Sequence, residues 1–408
     1  MDLRQLTDKD ITWLDANKNA DVNSLWLKYH GDTDMEFLIT QLQCRKKARG
    51  KLEDGIIDNH FIYPNALAVE QCSGSNMAAL HASFISPADR VLDMTMGLGI
   101  DAMTISKACR SIVMIDFKQD NVEAARLNIE RLSLRNATAI CGDSIEDLSK
   151  AEDGAFDVIF IDPARRGKNG QRLYALGDCE PNVINLLPLA SKKAKRMIIK
   201  ASPMLDIDKM VTDLAPYHTD IIVTGSATEC KEVIAAIDFD KPRETDDYSV
   251  RCIVPDVGQL MFRSSNEDNA ISTFEVPKAE MKLFEPSAVL LKSGCFNLLS
   301  QRYNLPKIAP STHLYLSSAP ITDLNLGNWW NILEVISFDK ISIKNISRRY
   351  PSISISTRNF PIDADTLRHR LKVSENSGRL KLWGTTDHEG RKCIIIGERI
   401  QKNIPAHS

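Results

Sequence analysis

The 408-residue sequence predicts an α/β fold: a mostly parallel, helix-covered sheet set between an N-terminal helical region and a C-terminal α+β module. Three observations predict it. From Ala88 to about residue 240, short and nearly all-apolar segments alternate with amphipathic ones. Strands that apolar must be buried on both faces, as parallel strands covered by helices are. The first apolar segment also runs into a glycine turn, VLDMTMGLGIDA, of the kind that opens a helix beside a ligand. After about residue 275 the texture changes to mixed strands and helices, ending in a hairpin.

The elements follow in order. Residues 6–17 and 22–30 read as short amphipathic helices and 34–52 as a longer one, with Asp34 as its cap. Strands are expected at 90–94, 111–116, 137–143, 156–162, 196–202 and 219–225. Helices are expected at 99–110, 121–134 and 182–194, the last kinked by Pro188. Residues 248–264 read as two strands around a turn at Pro255–Gly258, and 264–269 as a loop. Beyond these, 285–303 reads as a helix, 312–318 and 328–338 as strands, and 339–350 as a helix. Residues 352–360 alternate as a strand, 363–373 form a helix capped by Asp363, and 379–387 with 391–400 form the hairpin. Trp329 and Trp330 are adjacent on a strand, so one should face the core and the other be partly exposed. The expected domains are 1–85, 86–265, 275–320 and 321–408.

Composition bounds the function. Hydrophobic residues make up 43% and charged residues 26%, ordinary for a globular protein, and no apolar run approaches the roughly 20 residues of a membrane span. The polar start, MDLRQLTDKD, lacks a signal-peptide core. The 9 cysteines are scattered without a C-x-x-C pair, which argues against a metal site and for reduced thiols in a cytoplasm. Charge is uneven. Residues 277–408 hold 19 Lys and Arg against 11 Asp and Glu, whereas the remainder holds 32 against 43. A basic C-terminal part of this kind suggests contact with a polyanion.

The chemistry gathers at strand ends, where ligands bind in such sheets. Gly97 and Gly99 let the backbone approach a ligand, but Asp93, still on the strand, would repel a pyrophosphate. It suits a ligand with a cationic amino group, such as the methionine moiety of S-adenosylmethionine. Asp116 ends the second strand, where an acid can take both ribose hydroxyls, and Asp143 ends the third, where it can accept from an adenine amine. Downstream, IDPARRGKNGQR places Asp162 and Pro163 at the end of the fourth strand. There the carboxylate can accept an N–H from a base or amine while proline stiffens the loop. Arg165 and Arg166 can stack on bases or grip phosphate.

With DMTMGLG at 93–99, Asp116, Asp143 and DPAR at 162–165, residues 70–240 resemble the class I S-adenosylmethionine-dependent methyltransferases, whose sheet is Rossmann-like. The resemblance implies cofactor contacts from Asp93, Gly97, Gly99, Asp116, Asp143 and Asp162, and from Gln71 in the upstream VEQCSGS stretch. It implies catalytic work by Asp162, Pro163 and Arg165. The Asp-Pro-Pro-aromatic pattern of the nucleic-acid N-methyltransferases is not met, because Ala164 and Arg165 fill the last two places. Asp-Pro-x-Arg is closer to the uracil-C5 RNA methyltransferases. Their cysteine nucleophile, however, falls at Ala201 in the run Lys200-Ala201-Ser202-Pro203, which points to a non-covalent transfer. Lys200 is expected on the substrate side.

STRNFP (356–361), DADTLRHRLKV, LWGTT, SPMLD, ECKEV and EPSAVLLKSG resemble a bacterial methyltransferase group with a C-terminal THUMP-like domain and a ferredoxin-like segment. That likeness implies structured RNA, tRNA or rRNA, as substrate. Arg348, Arg349, Arg358, Arg368 and Arg370 are then its expected contacts. Three readings remain beside it: a methyltransferase for a protein or small molecule, a non-catalytic RNA-binding protein that keeps the cofactor fold, and a dehydrogenase, which Asp93 disfavours.

Overall fold

Apolar residues three and four apart in the first fifty positions become three helices, α1 (Asp8–Ala16), α2 (Val22–Lys28) and α3 (Thr33–Ala48). Each starts on a side-chain cap, from Thr7, Asp21 and Asp32 respectively. The cap of α3 is therefore Asp32 rather than Asp34, which lies in the first turn and faces the helix dipole favourably. Leu14, Leu25, Phe37 and Leu42 bury together with Ile62, at about 1.5–3 kcal/mol each. The structure is a computed structural model describing residues 3–52, 60–165, 175–376 and 378–401, with Arg165 described in its backbone alone. Arg166 and the rest of the 166–174 loop lie outside the described residues.

The chain divides into two units. The first comprises Met1–Asp220 and Ile234–Glu244, the second Ile221–Val233 and Thr245–Ser408. The division runs through a pair of strands rather than falling after residue 265. In the first unit, α4 (Ala66–Gln71) and α5 (Ser75–Ala82) precede the sheet. Then follow β1 (Arg90–Asp93), α6 (Ile100–Ser106), β2 (Ser111–Asp116), α7 (Gln119–Arg131), β3 (Ala137–Cys141) and α8 (Ser144–Lys150). β4 (Val158–Ile161) leads to a two-stranded ribbon of β5 (Ala164–Arg165) and β6 (Cys179–Glu180). α9 (Val183–Lys193), β7 (Arg196–Ala201), α10 (Ile207–Asp213), β8 (Tyr217–Gly225) and β9 (Cys230–Pro242) complete the series. The strand order β7-β4-β1-β2-β3 is parallel where registered, the Rossmann-like sheet that the sequence predicts. The order reverses at β1, between β4 and β2, so a crevice opens beyond the carboxyl ends of β1 and β4.

The sequence reading missed β9. Residues 226–229 alone join it to β8, and a link that short can join only antiparallel strands. In the second unit, β10 (Ser249–Val254) runs parallel to β8 and antiparallel to β11 (Gly258–Arg263). Residues 264–268, expected as loop, form α11 (Ser264–Asp268), begun by Asn266 accepting from the Arg263 amide.

The expected helix at 285–303 is three elements. These are β12 (Lys282–Pro286), α12 (Ala288–Ser293) and α13 (Phe296–Tyr303), with Gly294 breaking the helices at φ +79°. The second sheet is completed by β13 (Tyr315–Ser317), β14 (Gly327–Ser337), β15 (Ser354–Arg358), β16 (Leu380–Thr386) and β17 (Lys392–Arg399), in the order β13-β12-β14-β17-β16-β15. α14 (Ile346–Arg349) and α15 (Ala364–Leu371) accompany it, the latter capped by Asp363 as expected. Both Trp329 and Trp330 are buried, because β14 is a central strand with cover on each face. Trp329 meets Phe284 at 5.0 Å, and Trp330 meets Trp383 edge-on at 4.9 Å.

Candidate active site

The crevice holds a cavity of about 550 Å³. Asp93, Gly97, Gly99, Gln71, Asp162 and Pro163 all line it, so six of the residues expected from sequence meet in one place. β1 delivers Asp93 at its last residue, and the glycine turn follows. Gly97 has φ +56° with open space where a Cβ would stand, and Gly99 has φ +81° at the start of α6. A side chain at Gly97 would be strained and would narrow the cavity.

Asp93 is nearly inaccessible. Among the described residues only the Thr95 amide donates to it, at 2.9 Å to Oδ1. Burial, with Asp101, Asp162 and Asp116 nearby, pushes its carboxyl up to about 8. Among the described residues that acid lacks a countercharge, and the ammonium of an amino-acid ligand would supply one. The donor set therefore fits S-adenosylmethionine. Asn121, which the sequence reading missed, adds a second mark. Asn121 lines the cavity, and its Nδ2 donates to Asp116 at 3.0 Å, while its buried Oδ1 has no donor among the described residues. A ligand hydroxyl or amine would satisfy it.

Asp116 and Asp143 stand differently from expectation. Asp116 turns inward, its Oδ2 accepting from the Gly97 amide at 2.9 Å and its Oδ1 from the Lys118 amide at 2.8 Å. It therefore ties the glycine turn to the end of β2. Asp143 is exposed and caps α8, its Oδ1 accepting from the amides of Ile145 and Glu146. Neither is among the residues lining the cavity.

Asp162 leads to a network that the sequence did not announce. Its backbone N–H donates to Thr95 Oγ1 at 2.7 Å, which ties β4 to β1. Its Oδ2 accepts from Lys200 Nζ at 2.6 Å. Lys200 also donates to Ser73 Oγ at 3.0 Å, Ser73 donates to Asp101 at 2.6 Å, and His81 Nδ1 lies 2.8 Å from the other Asp101 oxygen. Burial opposes ionisation of Asp101, but His81, Lys200 and Ser73 hold its carboxyl down at about 2. Lys200, expected as an RNA contact, is thus corrected: it is buried on β7 and spent on Asp162 and Ser73. Ser73, His81 and Asp101 carry no local signal, since their meaning lies in contacts between distant segments.

Ala201 is buried at the end of β7, and the one cysteine lining the cavity is Cys72. Burial pushes the Cys72 thiol above its ordinary value, and its Sγ donates to the Val69 carbonyl at 3.2 Å. It is a poor thiolate nucleophile.

The expected RNA arginines separate into groups. Arg349 pairs with Glu334 at 2.6 Å, and Arg368 pairs with both Asp365 and Glu375. Arg358 lies on β15 with its Nε buried and unpartnered, close enough to His313 to help lower that imidazole to about 4, behind burial and Lys307. Arg348 is exposed, and Arg370 lies over the Phe338 ring at 5.6 Å.

A family model described as a methyltransferase domain matches residues 91–165, one described as a ferredoxin-like domain matches 283–324, and one described as THUMP domain-like matches 327–399. A crystal structure of a proposed methyltransferase from Porphyromonas gingivalis W83 superposes with a TM-score of 0.81 at 26% identity, covering 98% of this chain and 100% of that one. A 23S rRNA (uracil(1939)-C(5))-methyltransferase of Photobacterium angustum is 28% identical over 28% of this chain and 54% of its own length. An uncharacterized RNA methyltransferase of Mycoplasma mobile is 33% identical over 21% of this chain and 23% of its own length. A protein-L-isoaspartate O-methyltransferase of Paracoccus denitrificans is 27% identical over 43% of this chain and 79% of its own. The chain thus spans about half of the first relative and about a quarter of the second.

Proposed function

We propose that this chain, which carries a methyltransferase domain followed by ferredoxin-like and THUMP-like domains, is an S-adenosylmethionine-dependent methyltransferase acting on structured RNA by non-covalent, in-line transfer. One observation carries the reading: the buried Asp93, without a cation among the described residues, and the half-exposed Asp162 face the same cavity at the reversal of the sheet. When bound, S-adenosylmethionine supplies a methyl group on a sulfonium. Asp93 would hold the ammonium end, and the Gly97–Gly99 turn would allow close approach of the backbone. Asp162 would accept a hydrogen bond from the acceptor group and so orient its lone pair, a contribution of position more than of chemistry. Pro163 would border the acceptor's path, and Gln71 the cofactor's, with Arg165 next along the chain from the cavity wall as the sequence-expected substrate contact. Ala201 and the poorly nucleophilic Cys72 support a route without a covalent enzyme adduct.

The RNA part of the reading is supported by the THUMP-like match and by relatives named as RNA methyltransferases. The isoaspartate methyltransferase likeness favours a second reading, a protein acceptor. Radiolabelled S-adenosylmethionine, offered together with total RNA and total protein from cells lacking this gene, separates the two. Label is expected in RNA nucleosides. Label confined to protein would replace the RNA reading, and no label in either fraction would remove the enzymatic one.

A further inference from the structure

The cations of the C-terminal domain are not equivalent. Five are already neutralised: besides Arg349 and Arg368, Lys381 pairs with Glu285 at 2.7 Å, Arg391 with Asp387 at 2.8 Å and Arg379 with Glu398 at 3.7 Å. Four of the others gather in one place. Lys340, Lys344, Arg370 and Lys372 are exposed and make no ion pair among the described residues. All four line one cavity of about 490 Å³, between the turn after β14 and the end of α15. Phe338 forms part of the wall, packed edge-on against Phe360 at 4.8 Å, with the Arg370 guanidinium over its ring.

The lone acid of the cavity, Asp339, is turned to other use. Its Oδ1 accepts from the amides of Ile341 and Ser342, and its Oδ2 accepts from the Ser342 hydroxyl at 2.6 Å. Those bonds fix the turn that presents Lys340 and Lys344. Four like charges gathered without counterions repel one another, and a ligand carrying negative charge relieves that repulsion. The cavity is larger than a bare ion needs and has an aromatic wall, which suits a phosphate joined to a sugar and base.

We propose that Lys340, Lys344, Arg370 and Lys372 form a docking site for the phosphodiester backbone of the RNA substrate. This rests on the RNA reading above and goes beyond it, since it exchanges most of the sequence-expected arginines for three lysines and Arg370.

The test uses the full chain and a fluorescein-labelled single-stranded RNA of mixed sequence, followed by anisotropy across a salt series. Each neutralised phosphate on a single strand contributes about 0.7 to the slope of log K against log salt, so replacing all four residues by Gln should lower the slope by about 3. Arg349→Gln with Arg368→Gln should leave it nearly unchanged, because those guanidiniums are already paired. The four docking residues and Arg349 are exposed and Arg368 is half-buried, so equal melting temperatures are required to verify the fold of each variant. Should the fourfold variant keep the wild-type slope while the wild type binds RNA, the site is overturned and the RNA reading stands. If the wild type shows no salt-dependent RNA binding, the RNA reading itself falls, and the site with it. Polyglutamate displacing the RNA equally well at equal charge would overturn the assignment to phosphodiester in favour of an acidic polypeptide.

Discussion

At the scale of single residues, the site is organised by two acids in opposite electrostatic situations. Among the described residues Asp93 meets no cation, and it is pushed up to about 8 by burial and by three neighbouring carboxylates, so it is mostly protonated at pH 7. Pairing with a ligand ammonium stabilises the ionised form, and the proton must leave. Cofactor binding at pH 7 should therefore release close to one proton, read as a dependence of the calorimetric enthalpy on the ionisation enthalpy of the buffer. Asp93→Asn should abolish that release and weaken binding about tenfold or more, which is about 1.4 kcal/mol. A buffer-independent enthalpy in the wild type would contradict the role given to Asp93. Asp162 instead has its cation, Lys200 at 2.6 Å. Lys200→Met removes the 2.6 Å ion pair from that carboxylate. Turnover should fall about tenfold or more while the cofactor Kd stays within about threefold, and Lys200→Arg should restore part of the loss. An affinity that falls as far as turnover would mean that the pocket has collapsed and that Lys200 is merely structural.

At the scale of elements, the strands that end in chemistry are short and depend on their neighbours for direction. β1 is held by β2 and β4 on either side, and the Thr95 hydroxyl accepts from the Asp162 amide across that pair. The turn between β8 and β9 is the least tolerant connection. A Cβ on Gly225 would stand 2.1 Å from the Glu229 carbonyl oxygen and 2.8 Å from the Lys231 nitrogen. These are backbone atoms that cannot rotate aside. Gly225→Ala should cost about 1–3 kcal/mol, seen as a lower urea midpoint at unchanged m-value. An unchanged midpoint would show that the turn relaxes freely. The same turn explains why β9 escaped the sequence reading. Its start, ECKEV, reads as a charged rim, although its last residue, Val233, and the following Ile234 are fully buried.

At the scale of the whole molecule, charge and contact divide the chain at different points. The basic excess begins near Pro277, whereas the second unit takes up the tip of the β8–β9 pair and then everything from Thr245. Net charge therefore located the candidate RNA-facing part but not the boundary. Charge alone also counted Arg349 and Arg368 as equal to Arg370, although the first two pair with carboxylates and the third makes no ion pair among the described residues.

The sequence by itself determined the parallel strands, the Asp363 cap, the glycine turn, and the placement of Asp93 and Asp162 at strand ends. These follow from local rules: a strand repeats every two residues, a helix every 3.6, and a cap acts within three positions. Tertiary structure alone decided that Asp116 and Asp143 serve the backbone, that both tryptophans of β14 are covered, and that Lys200 belongs to Asp162. Such outcomes depend on residues far apart in the chain, as with Lys200 and Ser73, which are 127 positions apart. No periodicity records a hydrogen bond across that distance. Only the closing of the sheet brings its two ends within 3.0 Å.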